Sequence, residues 1–263
     1  MKADICILIV SHNKPRFVKE AVQSVLTQIH PNWQGILVDS GVLVKQGFFD
    51  YLKDPRLKVI PSGETSEQAR IMNMCSWCFN RLLNSGQITG ELIMYLNDDD
   101  LLYPEAFETY WNFYQQHGRA PQAMYASQDI GLVDPDGKTQ IIGRRVADRP
   151  GGRSCKGRKL DCQVDYLQFC HTAEILDKFR ETYTTTQYHS EDRRDAHHAD
   201  GIFMEQIGAL SKVYNIDKVL SMNRRTVESA NLEYSASPFG RLLVTLRAKL
   251  RGTRERLSPR RRY

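Results

Sequence analysis

The chain has 263 residues, of which 41% are apolar and 25% charged, the balance of a soluble globular protein with material for a sizeable core and no need of disulfide staples. No segment approaches the roughly 20 apolar residues of a membrane span. The net charge of +5 is uneven: from Arg241 onward nine Lys/Arg face one Glu, a surplus of +8 that leaves −3 for residues 1–240. The basic character belongs to the tail, where Tyr263 is the sole aromatic after Phe239. That composition excludes the stacking platform of a single-strand nucleic-acid binder.

Residues 4–10 are an apolar run that predicts a strand buried on both faces. The run is too short for a signal peptide and lacks a small-residue cleavage site. Ser11-His12-Asn13-Lys14-Pro15 ends it, and Pro15 suits the first turn of a helix. Phe17, Val18, Ala21, Val22, Val25 and Leu26 then recur at helical spacing,. Residues 35–39 read as a second strand ending on an acid, and 57–60 as a third. Residues 66–84 predict a long helix, 92–96 a buried strand, and Pro104 opens a helix to about His117. This alternation predicts a mostly parallel sheet with helices on both faces. Ligands bind beyond the carboxyl ends of such strands, where Ser11 to Asn13, Asp39-Ser40 and Asn97 to Asp100 fall.

The second half differs. Residues 124–133 and 138–146, around Asp134-Pro135-Asp136-Gly137, read as a β-hairpin. Residues 147–163 are rich in Gly and cations, including Gly151-Gly152, Arg149, Arg153, Lys156, Arg158 and Lys159, and suggest a lid over an anionic ligand. Residues 199–210 regain a helical pattern, and 213–220 read as strand-turn-strand. Phe239, Leu242, Leu243, Leu246 and Leu250 form one apolar stripe with Arg and Lys beside it. Such a stripe suits either an anionic membrane interface or packing on the domain.

The cysteines are Cys6, Cys75, Cys78, Cys155, Cys162 and Cys170, all expected reduced. Cys75 and Cys78 have half a zinc-site spacing but no second pair. Cys155, Cys162 and Cys170-His171 are too irregular for a known zinc pattern, so a structural role is expected.

Asp98-Asp99-Asp100 is the most informative segment. Three adjacent carboxylates at a strand end disfavour one another's ionisation, and a cation among them resolves the repulsion. Carboxylate oxygens suit Mg²⁺ or Mn²⁺. An acidic helix N-terminus is the plainer explanation, but one Asp would serve for that.

The segments Ile7 to Lys14, Ser24 to Gln28, Ile36 to Ser40 and Leu96 to Pro104, in this order and spacing, resemble the family 2 glycosyltransferases of the GT-A fold, densely over about residues 4–108 and loosely to about 225. The resemblance implies an α/β, Rossmann-like GT-A domain over 1–235, with a nucleotide-binding half (1–117), an acceptor-binding half (118–235) and a basic tail (236–263). It implies an inverting transfer from a nucleotide diphosphate sugar, a UDP-sugar foremost, to a hydroxyl of a glycan, lipid-linked or small-molecule acceptor. Ser11, Asp39 and Arg70 fall where that family binds the nucleotide, and Asp98 nearest the ribose. Counting back from Pro104 puts Asp99 at the metal position for Mn²⁺ or Mg²⁺, with Asp100 as the alternative; Asn97 replaces the family's usual first Asp. Asp200, in His197-His198-Ala199-Asp200, matches the catalytic base, with Glu191 and Asp192 behind it. Capping is the plainer role for Asp200, as solvent exposure is for Arg70, His197 and His198. A cytoplasmic location, with or without peripheral membrane contact through the tail, is expected. A sugar nucleotidyltransferase would need a Gly-rich, cationic loop after the first strand, and residues 11–16 have none. A degenerate scaffold protein would have little use for the acidic cluster.

Overall fold

The computed structural model describes residues 2–64, 68, 72–134, 136–145, 164–195 and 198–225. Arg70, His197, the lid segment 147–163, Cys155, Cys162 and the tail 236–263 lie outside these residues. The described strands are β1 (Ile5–Ser11), β2 (Trp33–Asp39), β3 (Leu57–Pro61), β4 (Leu92–Asn97), β5 (Leu101–Leu102), β6 (Ala123–Val133), β7 (Thr139–Arg145), β8 (Phe169–Thr172) and β9 (Val213–Arg225). The helices are α1 (Pro15–Leu26), α2 (Met74–Leu83), α3 (Ala106–Gln116), α4 (Ala173–Tyr183) and α5 (Ala199–Leu210).

All nine strands join one sheet in the order β3-β2-β1-β4-β8-β6-β9-β5, with β7 paired to β6. Strands β3, β2, β1 and β4 are parallel, β8 inserts antiparallel between β4 and β6, and β6 and β9 are again parallel. Only β5, β7 and β8 run against the other six. The expected mostly parallel α/β sheet is therefore present.

The apolar run of β1 explains the layering. Cys6, Leu8 and Val10 enter one core with Trp77, Phe79 and Leu82 of α2, Ile175 and Phe179 of α4, and Phe203 and Ile207 of α5. Ile5, Ile7 and Ile9 enter the other with Val18, Ala21, Val22 and Val25 of α1 and Phe107 and Tyr110 of α3. Alternate side chains on a strand point to opposite faces, so an unbroken apolar run requires helices on both. Pro15 sits in the first turn of α1, and its buried residues repeat at helical spacing.

Two expectations are corrected. The helix expected over 66–84 is interrupted: Gln68 is helical and its carbonyl accepts from the Met72 amide at 3.0 Å, but Met72 pairs with Asp192 as an isolated bridge and Asn73 is the extended N-cap from which α2 starts. The strand-turn-strand reading of 213–220 gives way to one continuous strand, β9. Its register along β6 passes from Ala126↔Ile216 to Ser127↔Val219, so the polar pair Asp217-Lys218 that suggested a turn is absorbed as a bulge. No helix among the described residues is long and apolar enough to cross a membrane.

Among the described residues, His171 and Cys170 have the structural role expected of them, both being fully buried. His171 is fully buried, its Nδ1 donating to the Thr172 carbonyl at 2.9 Å and its Nε2 accepting from the Tyr95 hydroxyl at 2.6 Å. Burial holds it neutral, its pKa lowered to about 4. Cys6, Cys75, Cys78 and Cys170 are free thiols, and burial pushes Cys6 and Cys78 up to about 12.

Gly90 marks the closest backbone approach beside β4. A Cβ there would lie 2.4 Å from the Cys6 amide nitrogen and 2.8 Å from the Ile5 carbonyl carbon. Gly90→Ala should cost roughly 2 kcal/mol or more. Gly86→Ala, at a positive φ of 68° in open space, should cost about 1–2 kcal/mol. Denaturant unfolding checks the order; equal stability of Gly90→Ala and the parent would contradict the packing.

Candidate active site

Parallel register brings the ends of β1, β2 and β4 together. Ser11 pairs with Asp39, and Val10 with Asn97. The loops beyond β1 and β2 then interlock. Ser40 donates to the Ser11 carbonyl through its amide at 2.8 Å and its hydroxyl at 3.1 Å. Asn13 takes a positive φ of 53° and its Oδ1 accepts from the Val42 amide at 3.0 Å.

The acidic segment closes this platform. Asp98, Asp99 and Asp100 are all buried, but they do not point to one place. Asp98 Oδ2 accepts from the His12 amide at 2.7 Å. Its Oδ1 and the Oδ2 of Asp99 converge on Lys14 Nζ, at 3.2 and 2.8 Å. Asp100 turns the other way and accepts from the Arg224 amide at 2.9 Å and from Asn223 Nδ2 at 3.2 Å. Arg224, itself buried, bonds the Asp99 carbonyl, pairs with Glu20 of α1, and lies over the Phe17 ring at 5.1 Å. One arginine thus fixes the backbone of the acidic turn to α1.

Electrostatics follow from this packing. Burial raises the Asp98 carboxyl to about 6, partly offset by Lys14; Asp99 adds to the rise, while the His12 amide opposes it. Burial also raises Asp100, and Asp99 and Asp165 add to that rise. Burial disfavours the Lys14 charge, but the Asp99 and Asp98 carboxylates outweigh it and raise its pKa.

Asp200 stands in the first turn of α5, where the N-cap is His198, so Asp200 is not the cap. Its Oδ1 accepts from the Gly201 amide at 2.8 Å. The Cys75 thiol, bonded to Asn97 Oδ1 at 3.5 Å, lies within the fields of Asp98, Asp99 and Asp200. The base candidate and the acidic turn therefore share one neighbourhood. The runner-up acids are engaged elsewhere. Glu191 accepts from Asn80 Nδ2 at 2.8 Å, and Asp192 pairs with Arg194, whose hydrogen bonds lower it to about 2.

Asp39 is buried beside Ser11, but its Oδ2 accepts from the Val44 amide at 2.9 Å and its Oδ1 from the Gly41 amide at 3.3 Å. In this state it shapes its own loop. Ser11 is fully buried, and among the described residues its hydroxyl has no hydrogen-bond partner. Lys14, the His12 amide, Asn223 and Arg224 were missed by sequence reasoning. The cation in Asn13-Lys14-Pro15 beside three acids was a usable signal for Lys14; nothing marked Arg224.

No group of three or more His, Cys, Asp or Glu among the described residues forms a ready metal cage. Mg²⁺ and Mn²⁺ in phosphate sites commonly use one or two protein carboxylates and complete their shell with water and phosphate. The paired oxygens of Asp98 and Asp99, already turned toward a cation, fit that donor set.

The mostly parallel sheet flanked by helices matches the GT-A class of fold seen in structural neighbours. Two solved structures agree in fold: S. aureus TarS 1-349 in complex with UDP-GlcNAc (TM-score 0.62, 14% identity, 90% of this chain and 62% of that one), and the mannosyltransferase PcManGT from Pyrobaculum calidifontis in complex with GDP-Man and Mn²⁺ (TM-score 0.51, 13% identity, 85% and 57%). Residues 6–133 match the Glycosyl transferase family 2 model. Protein CgeD of Bacillus subtilis (strain 168) is 24% identical over 248 residues, 90% of this chain; the chain spans 54% of that relative's length.

The raised Asp98 pKa has a signed consequence. Its value of about 6 lies above the ordinary 3.8, so the native state binds the proton more tightly than the unfolded chain does. Asp98 therefore withdraws stability as pH rises from about 4 to about 6. In metal-free protein, the Tm of Asp98→Asn minus that of the parent should grow across this window and level off above it. A difference that is flat or shrinks with pH would contradict the burial of this charge.

Proposed function

We propose that this chain is an inverting, divalent-metal-dependent glycosyltransferase that moves a sugar from a nucleoside diphosphate sugar to an acceptor hydroxyl. The observation that carries the reading is the convergence of Asp98 and Asp99 on one cation position at the joined ends of β1, β2 and β4. The neighbours in complex with UDP-GlcNAc and with GDP-Man and Mn²⁺ support a nucleotide-sugar donor, with a UDP-sugar preferred.

Asp99 is the metal ligand in this reading, with Asp98 beside it toward the ribose. Asp100 is the weaker choice because its carboxylate is held by Arg224 and Asn223. When bound, Mn²⁺ or Mg²⁺ neutralises charge that grows on the leaving diphosphate. Asp39, Ser11 and Arg70 contribute to nucleotide binding; for Asp39 and Ser11 this needs a local rearrangement of the interlocked loops. The acceptor oxygen attacks the anomeric carbon as the bond to the diphosphate oxygen breaks. Asp200 takes the hydroxyl proton, and the nucleoside diphosphate departs. The acceptor is a glycan, lipid-linked or small-molecule hydroxyl. The chain works in the cytoplasm, and its basic tail is the segment suited to contact with an anionic membrane surface.

Asp99→Asn should abolish transfer while the far-UV circular dichroism stays that of the parent. Full activity in this variant, or activity unchanged by excess EDTA, would remove the metal from the mechanism. Asp200→Asn should lower kcat by about 10²-fold or more, within the usual range for general-base removal, and leave donor affinity within about twofold. Collapse of donor binding with kcat intact would move Asp200 to the donor site.

A further inference from the structure

Lys14 is a cation of the chain itself, seated between the two carboxylates assigned to the metal and ribose. Its Nζ lies 2.8 Å from Asp99 Oδ2 and 3.2 Å from Asp98 Oδ1, and the side chain is 20% exposed. Its backbone is committed separately, as the residue before α1 whose carbonyl accepts from the Val18 amide at 3.0 Å. The ammonium can therefore leave the carboxylates without unravelling the helix, because a lysine head moves on a flexible four-carbon stem.

We propose that Lys14 is a built-in placeholder for the divalent ion. It neutralises the acidic turn while the site is empty, excludes free metal, and yields the position when metal arrives with a nucleoside diphosphate. This deepens the metal-dependent transferase reading and rests on it.

Two physical constraints support the exchange. An ammonium and a divalent cation at hydrogen-bonding distance from the same carboxylate oxygens repel each other strongly in a partly desolvated site. Metal alone must therefore displace Lys14 and leave it facing an uncompensated positive charge. A diphosphate changes the balance, because its anionic oxygens offer the displaced ammonium a new partner close to the old one. Metal and nucleotide should then bind synergistically, as expected when each ligand relieves the other's cost. The loop geometry favours a short movement: His12, two residues before Lys14, remains anchored to Asp98 through its amide and to Ser40 through its ring.

The test is a titration of Mn²⁺ into the full chain, followed by the electron paramagnetic resonance signal of free Mn²⁺, with and without UDP. The parent should bind Mn²⁺ weakly alone and at least tenfold more tightly with UDP. Lys14→Met should bind Mn²⁺ without UDP at least tenfold more tightly than the parent and gain little from UDP. Lys14→Arg, which keeps the charge, should stay like the parent, and adding Asp99→Asn to Lys14→Met should abolish the gain. Lys14→Gln replaces Lys14→Met if circular dichroism shows the latter misfolded.

Mn²⁺ affinity without UDP that is no higher in the neutral variants than in the parent, while UDP still promotes binding, would overturn the placeholder and leave the transferase reading standing. Equal tightening by Lys14→Arg and Lys14→Met would also overturn it. Absence of Mn²⁺ binding in every variant, with UDP or GDP present, would defeat the metal reading itself and this proposal with it.

Discussion

The ion pair of Lys14 with Asp98 and Asp99 is the interaction on which the site depends. Burial resists the ionisation of Asp98 and Asp100, and the neighbouring Asp99 carboxylate adds to the rise of both; at Asp98 the Lys14 ammonium offsets part of it. Desolvation of such a group costs several kcal/mol unless it is paired and hydrogen-bonded. The fold supplies both. Lys14 arrives from the end of β1 and the His12 amide from the same loop. The parallel pairing of β1 and β4 is therefore an electrostatic requirement of the site as well as a packing solution.

The second half of the chain completes this arrangement. Strand β9 delivers Asn223 and Arg224 to Asp100, and Arg224 ties the Asp99 carbonyl to Glu20 and Phe17 of α1. The three acids thereby divide their tasks. Asp98 and Asp99 face a cation, whereas Asp100 locks the turn to β9. From the opposite face of the sheet, α5 carries Asp200 to the Cys75 side of the same cluster. The buried Arg224 gives the acidic turn the fixed frame that the proposed exchange of Lys14 for a metal ion requires.

Much of the fold was legible because its signals were local. The apolar run of β1, the Val18–Val25 stripe of α1 and the Asp134–Gly137 turn each follow from periodicity or turn chemistry within a few residues. Strands β5 and β8 were not expected. Leu101-Leu102 is too short for a pattern, and Phe169–Thr172 is defined by its partners β4 and β6, not by its own sequence. For the site, the strand-end acids were visible and their separate orientations were not. Three consecutive Asp residues look equivalent until β9 claims one of them. The engagement of Asp39 with the Gly41 and Val44 amides was equally hidden, since the resemblance speaks of a nucleotide-bound state.

The central claim is that the joined strand ends bind a nucleoside diphosphate through Asp98 and Asp99. Calorimetric titration of UDP and GDP into the full chain at pH 7.5, with and without Mn²⁺, tests it most directly. The account predicts saturable one-to-one binding of one nucleotide, strengthened by Mn²⁺, and its loss when both Asp98 and Asp99 are replaced by Asn. Failure of either nucleotide to bind with Mn²⁺ present, or binding undiminished in the double variant, would contradict it.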